Sequence, residues 1–137
     1  MKRPQPEQAL QRQVAQFLAV ALDGNSWFSS MPLGGGGRLR GAILRGVGVK
    51  RGLPDVLVVN DGRAIWLELK SDKGRVSPEQ RECHAALASA RSSVSVVRSL
   101  DDAIEALQRA GVPLRAHLDA PPVTRDTVQL HTREVGA

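Results

Sequence analysis

Near the start of the chain Leu10, Val14, Phe17, Leu18, Ala21 and Leu22 fall on one helical stripe, which predicts an amphipathic helix over residues 6–22 that stops at Asp23-Gly24. Glu7 continues the stripe, so a carboxylate is set on the core-facing side of the first turn. An acid there also complements the helix dipole, and spacing alone does not choose between the two roles. Residues 26–31, with Trp27 and Phe28, predict a first strand. The Gly34-Gly35-Gly36-Gly37 run that follows predicts a loop, and residues 40–45 a short helical turn broken by Gly46, Gly48 and Gly52.

The period then changes. Val56-Leu57-Val58-Val59 and Ala64-Ile65-Trp66-Leu67 are apolar on both faces, as in strands buried within a sheet, and Asp61-Gly62 between them is a two-residue hairpin signal. Counting outward from Asn60 opposite Arg63 places Asp55 opposite Glu68, with Lys70 two residues further on the same face, whereas a three-residue loop would set Asp55 against Leu67 or Leu69 and remove the shared site. Opposed carboxylates have Cβ atoms roughly 4.5–5.5 Å apart and repel unless something positive lies between them. A divalent cation suits that position. The plainer alternative makes Asp55 a strand cap and Glu68–Lys70 an ion pair on a wet edge strand. The continuous apolar runs argue against it, because a strand with one wet face alternates.

After the hairpin, Ser77-Pro78-Glu79-Gln80 combines an N-cap serine, a proline at the first helical position and a capping-box glutamine. The helix it starts runs to about Ala90 with Cys83, Leu87 and Ala90 inward. Residues 94–97 predict a strand, and Ser99 caps a last helix bearing Ala103, Ile104 and Leu107 and ended by Gly111 and Pro113. The order α-β-β-β-α-β-α predicts an α/β fold, a mixed sheet flanked by helices. Residues 1–114 form the expected domain. Residues 115–137, with Pro121-Pro122, show no period and are expected to be a tail or an arm toward a partner subunit.

Composition narrows the chemistry. A chain of 137 residues fits one domain, and 19 Lys and Arg against 14 Asp and Glu give a formal charge of +5, suited to a phosphate-rich partner. Arg38, Arg40, Arg45, Lys50 and Arg51 form a run with no acid among them that ends just before Asp55, and are the candidate nucleic-acid contacts. Only two Trp and two Phe are present, too few for a base-stacking platform. The glycine run lacks the Gly-Lys-Ser/Thr of a P-loop. Cys83 is the only cysteine, which excludes an internal disulfide and a cysteine-built zinc site. No apolar run is long enough to span a membrane, and a soluble cytoplasmic protein is expected.

Gly52-Leu53-Pro54-Asp55, then Trp66-Leu67-Glu68-Leu69-Lys70, then Gly74-Arg75-Val76-Ser77-Pro78-Glu79-Gln80 closely resemble the VRR-NUC nucleases of the PD-(D/E)XK superfamily, whose core is restriction-endonuclease-like. The likeness runs from Pro6 through the Ser99 helix. It implies that Asp55 and Glu68 bind Mg²⁺ or Mn²⁺ together with the Leu69 carbonyl, that Lys70 positions or activates the attacking water, and that Gln80 and Glu7 complete the site. Gln80 also serves the capping box, and both roles are compatible. One departure is the helix-to-strand turn Ala90-Arg91-Ser92-Ser93, where the family carries glycine. His84, His117 and His131 are left outside the chemistry, a lone helical histidine being more often a packing residue. Small stand-alone members, of phage or bacterial type, act as homodimers on branched DNA such as four-way junctions. A metal-dependent, structure-selective DNA endonuclease is therefore expected. A non-catalytic basic DNA-binding module and an RNA endonuclease with the same site stay open.

Overall fold

The computed structural model describes residues 6–31 and 37–115. These form α1 (Pro6–Ala21), β1 (Ser26–Ser30), α2 (Gly37–Gly46), β2 (Val56–Asn60), β3 (Arg63–Leu69), α3 (Pro78–Ser89), β4 (Ser93–Val97) and α4 (Leu100–Arg109). The order is the expected one with α2 inserted between the first two strands. The expected short turn over residues 40–45 is instead a helix of 10 residues that already includes Gly37. The rest of the glycine run, residues 34–36, lies outside the described residues.

The sheet follows from the hairpin. Asp61 and Gly62 have φ of 51° and 72°, the two left-handed residues that a tight hairpin turn with native strand twist requires. Asn60 pairs with Arg63 and Val56 with Leu67. β1 adds to β2 antiparallel, and β4 adds to the other side of β3 parallel, reached through the α3 crossover. The order β1-β2-β3-β4 therefore buries β2 and β3 in the middle of the sheet.

One face is the core. Val56, Val58, Ile65, Leu67, Leu69 and Val97 meet Val14, Phe17, Leu18 and Ala21 of α1 and Ala103, Ile104 and Leu107 of α4, each fully buried large side chain contributing about 1.5–3 kcal/mol. The other face differs from expectation. Leu57, Val59, Ala64 and Trp66 are only half-buried, and Trp27 is exposed. The reason lies in α3, whose sequence offers few large apolar side chains. It buries none of its residues fully, and Ala90, expected to point inward, is exposed. None of the described helices is long and apolar enough to cross a membrane.

α3 and α4 end alike on different residues. After α4, Gly111 (φ 78°) closes the helix with its N–H on the Gln108 carbonyl while Val112 bonds Leu107. After α3, Arg91 (φ 64°) does the same with Ala88 while Ser92 bonds Leu87. Both are Schellman ends, and a side chain at the left-handed position is strained. Arg91→Gly is expected to raise stability by about 0.5–1 kcal/mol, read as a higher urea midpoint. A lower midpoint would show that the arginine side chain has contacts that outweigh the strain.

Candidate active site

Asp55 sits one pair beyond the β2–β3 ladder, where the register sets it opposite Glu68. Its N–H donates to the Leu67 carbonyl at 3.1 Å and its carbonyl accepts from the Met31 N–H at 2.8 Å. The same count leaves Leu69 opposite Pro54, and Asp55 Oδ2 accepts the Leu69 N–H at 2.7 Å. The carboxylate thus replaces a strand carbonyl and is held rigidly.

Glu68, facing it, is 1% exposed. Neither of its carboxyl oxygens has a hydrogen-bond partner among the described residues. Burial above all, then the neighbouring Asp55 and the more distant Glu7, push its pKa up to about 9, against the pull of Lys70. Orphaned buried acceptors cost roughly 1–3 kcal/mol each, so the position is expensive unless a cation completes it. No three His, Cys, Asp or Glu side chains among the described residues form a ready metal cluster. Asp55 and Glu68 instead match the sparse donor set of Mg²⁺, which takes one or two carboxylates and fills its shell with water and phosphate.

Lys70 directly follows β3, 8% exposed, its backbone N–H on the Val97 carbonyl at 3.0 Å. Residues 71–74 follow and are held by Arg98, whose Nη1 donates to the carbonyls of Ser71 and Gly74, both at 2.7 Å. Asp102 Oδ2 in turn accepts the Arg98 N–H at 3.0 Å. Gly74 lies against α1, where a Cβ would stand 3.2 Å from Glu7 Oε1. Glu7 acts on Glu68 through space, as does Lys70, whereas the Arg98 staple has no signal in the sequence.

α3 closes the other side. Ser77 Oγ accepts the Gln80 N–H at 3.1 Å and Gln80 Oε1 accepts the Ser77 N–H at 2.9 Å, so the capping box forms as predicted. Gly52 (φ +73°) passes so close to this first turn that a Cβ would stand 2.3 Å from the Glu79 carbonyl oxygen. Glycine is required there both by conformation and by space, and it locks the Pro54-Asp55 segment to α3. His84, one turn beyond Gln80, is the residue the sequence set aside. Its Nε2 is 3.6 Å from Glu68 Oε1 and is buried without a hydrogen bond. Burial and Lys70 lower its pKa below 6.5, with Asp55 opposing, so it is a neutral imidazole at pH 7. Burial and Glu68 raise the Cys83 thiol, which stays protonated. The four-residue spacing from Gln80 was the available signal for His84.

The end of the basic run, Lys50 and Arg51, borders this side. Arg40, Arg45, Lys50 and Arg51 are exposed, and the side chain of Arg38 lies outside the described residues. Ile43 and Val47 on and just after α2 are exposed with them. Lys50 and Arg51 share an open cleft of about 690 Å³ with Leu53, Glu79, Glu82 and Cys83.

Residues 37–101 match the family model of the VRR-NUC domain. A solved structure described as a VRR_NUC domain protein superposes with a TM-score of 0.62 at 19% identity, over 79% of this chain and 89% of that one. A comparison with curated proteins gives no match. The matched stretch begins with α2 and takes in the hairpin, α3 and β4, so Asp55, Glu68, Lys70, Gln80 and His84 all fall inside it. Residues 37–101 of this chain are thus similar to the VRR-NUC domain, a domain of the nuclease type.

Proposed function

We propose that the protein is a divalent-metal-dependent DNA endonuclease of PD-(D/E)XK type. The observation that carries this reading is the pair of orphaned, buried Glu68 oxygens beside Asp55 and Lys70 within a VRR-NUC domain. Asp55 and Glu68 hold Mg²⁺ or Mn²⁺. The Leu69 carbonyl joins them, since within a strand the N–H and C=O of one residue face the same edge and the Leu69 N–H already faces Asp55. The ion, when bound, supplies positive charge at the scissile phosphate.

The remaining work belongs to side chains. The Lys70 ammonium orients the attacking water and favours its hydroxide form by nearby positive charge. Glu7, at the 71–74 loop, and Gln80, at the start of α3, complete the polar wall. Arg38, Arg40, Arg45, Lys50 and Arg51 neutralise backbone phosphates without reading sequence. Branched DNA such as a four-way junction is the preferred substrate in this reading. A homodimer presents two sites to its two-fold symmetry.

The test is cleavage of labelled four-way junction, flap, duplex and single-stranded DNA with Mg²⁺ or Mn²⁺, by the wild type and by Glu68→Ala. Metal-dependent cutting of at least one DNA, absent in the variant and strongest on the junction, is the expected result. Salt-sensitive binding that Glu68→Ala leaves intact, with no cutting under either metal, would replace the enzyme with a binding module. Cutting confined to structured RNA would change the substrate while keeping the site.

A further inference from the structure

We infer that His84 is a ligand to the same ion as Glu68, which makes this site a mixed oxygen–nitrogen centre that prefers transition-metal ions such as Mn²⁺ to Mg²⁺. The inference rests on the metal reading above and adds a donor that the sequence motifs do not include.

The geometry is short-range. His84 Nε2 and Glu68 Oε1 are 3.6 Å apart, less than two metal–ligand bonds of about 2.1 Å laid end to end. One ion can therefore touch both atoms. The separation is too long for a hydrogen bond between them, and neither Nε2 nor either Glu68 oxygen makes a hydrogen bond of ordinary geometry among the described residues, Asp55 being the acid that faces Glu68. Three buried polar atoms thus lie close together without such a bond. A histidine that merely packs would turn its nitrogen to solvent or to a backbone carbonyl.

The helix that carries His84 supports the geometry as well. α3 is fixed at its N-terminus by the capping box and by Gly52 against Glu79, so His84, one turn further on, is set against Glu68 by the backbone. Mg²⁺ favours an all-oxygen shell, whereas imidazole suits the later divalent ions.

The full-length chain, loaded with Mn²⁺ alone, gives a direct readout through electron spin-echo modulation from a bound ¹⁴N. The expected result is a nitrogen coupling in the wild type that vanishes in His84→Gln. Mn²⁺ affinity measured by calorimetry should fall about tenfold in that variant, while Mg²⁺ affinity falls by less. His84→Asn serves as a second variant if the first is poorly folded. Mn²⁺ bound through Glu68, shown by its loss in Glu68→Ala, but without nitrogen coupling, would overturn the inference and leave the metal site standing. A coupling that persists in both His84 variants would also overturn it, assigning the nitrogen to His117 or His131. Failure of the wild type to bind Mn²⁺ at all would remove both this inference and the metal reading beneath it.

Discussion

In the nuclease reading proposed above, Lys70→Met is expected to lower DNA cleavage about 10²–10⁴-fold, the range lost when one positioned proton-handling or charge-stabilising group is removed. Met is close to Lys in length and apolar, and the Lys70 side chain is nearly buried, so the substitution removes charge while keeping volume. Folding is expected to survive with stability unchanged or raised, since no buried ammonium then has to be accommodated. Single-turnover cleavage of labelled DNA, paired with a thermal melt, reads both quantities. Activity within tenfold of wild type in a folded variant would strip Lys70 of its catalytic role.

The second large effect concerns stability. With metal removed by chelation, Glu68 keeps its proton in the native protein up to pH about 9, whereas in the unfolded chain it ionises near its ordinary value of 4.5. Between those values the native state binds more protons than the unfolded state, so stability falls as pH rises. The contribution is fully present below pH about 4.5 and is lost by the time pH has passed through about 9. Glu68→Gln has no proton to lose. It is expected to flatten this slope and to raise the melting temperature of the metal-free protein at pH 8 by at least ~5 °C. Divalent ion should offset the wild-type deficit most strongly at high pH, because binding needs the carboxylate form. Melting curves between pH 5 and 9, with chelator and with Mn²⁺, test all three statements. Equal slopes for wild type and Glu68→Gln would show that Glu68 is not the group responsible.

Local chemistry made most of this legible in advance. Asp61-Gly62 permits only a tight turn, and that turn fixes which carboxylate faces which. Ser77-Pro78 and Gln80 fix where α3 starts. The misses share a cause, namely that the deciding partner is distant in sequence. Arg98 finds its carbonyls more than twenty positions earlier, and nothing in Val97-Arg98-Ser99 announces them. His84 looks like an isolated helical histidine until α3 is laid on the sheet and Glu68 lies beneath it. The second sheet face looked buried because its residues are apolar, but coverage depends on the helix opposite, and α3 is too poor in large side chains to supply it. The extent of α2 was hidden by Gly37, Gly41 and Gly46, whose low helix propensity the tertiary context overrides.

The Arg98 staple also bears on the order in which the candidate site is assembled during synthesis. Asp55, Glu68, Lys70 and His84 are all made before β4, yet the strand-end bond to Lys70 comes from Val97 and the grip on residues 71–74 from Arg98. Parallel pairing across a crossover is a slow, non-local step that follows hairpin closure. A ribosome-bound chain that stops short of β4 thus holds the acids of the site without the frame that orients them. In the nuclease reading proposed above, assembly of the last strand is therefore the step expected to complete the site.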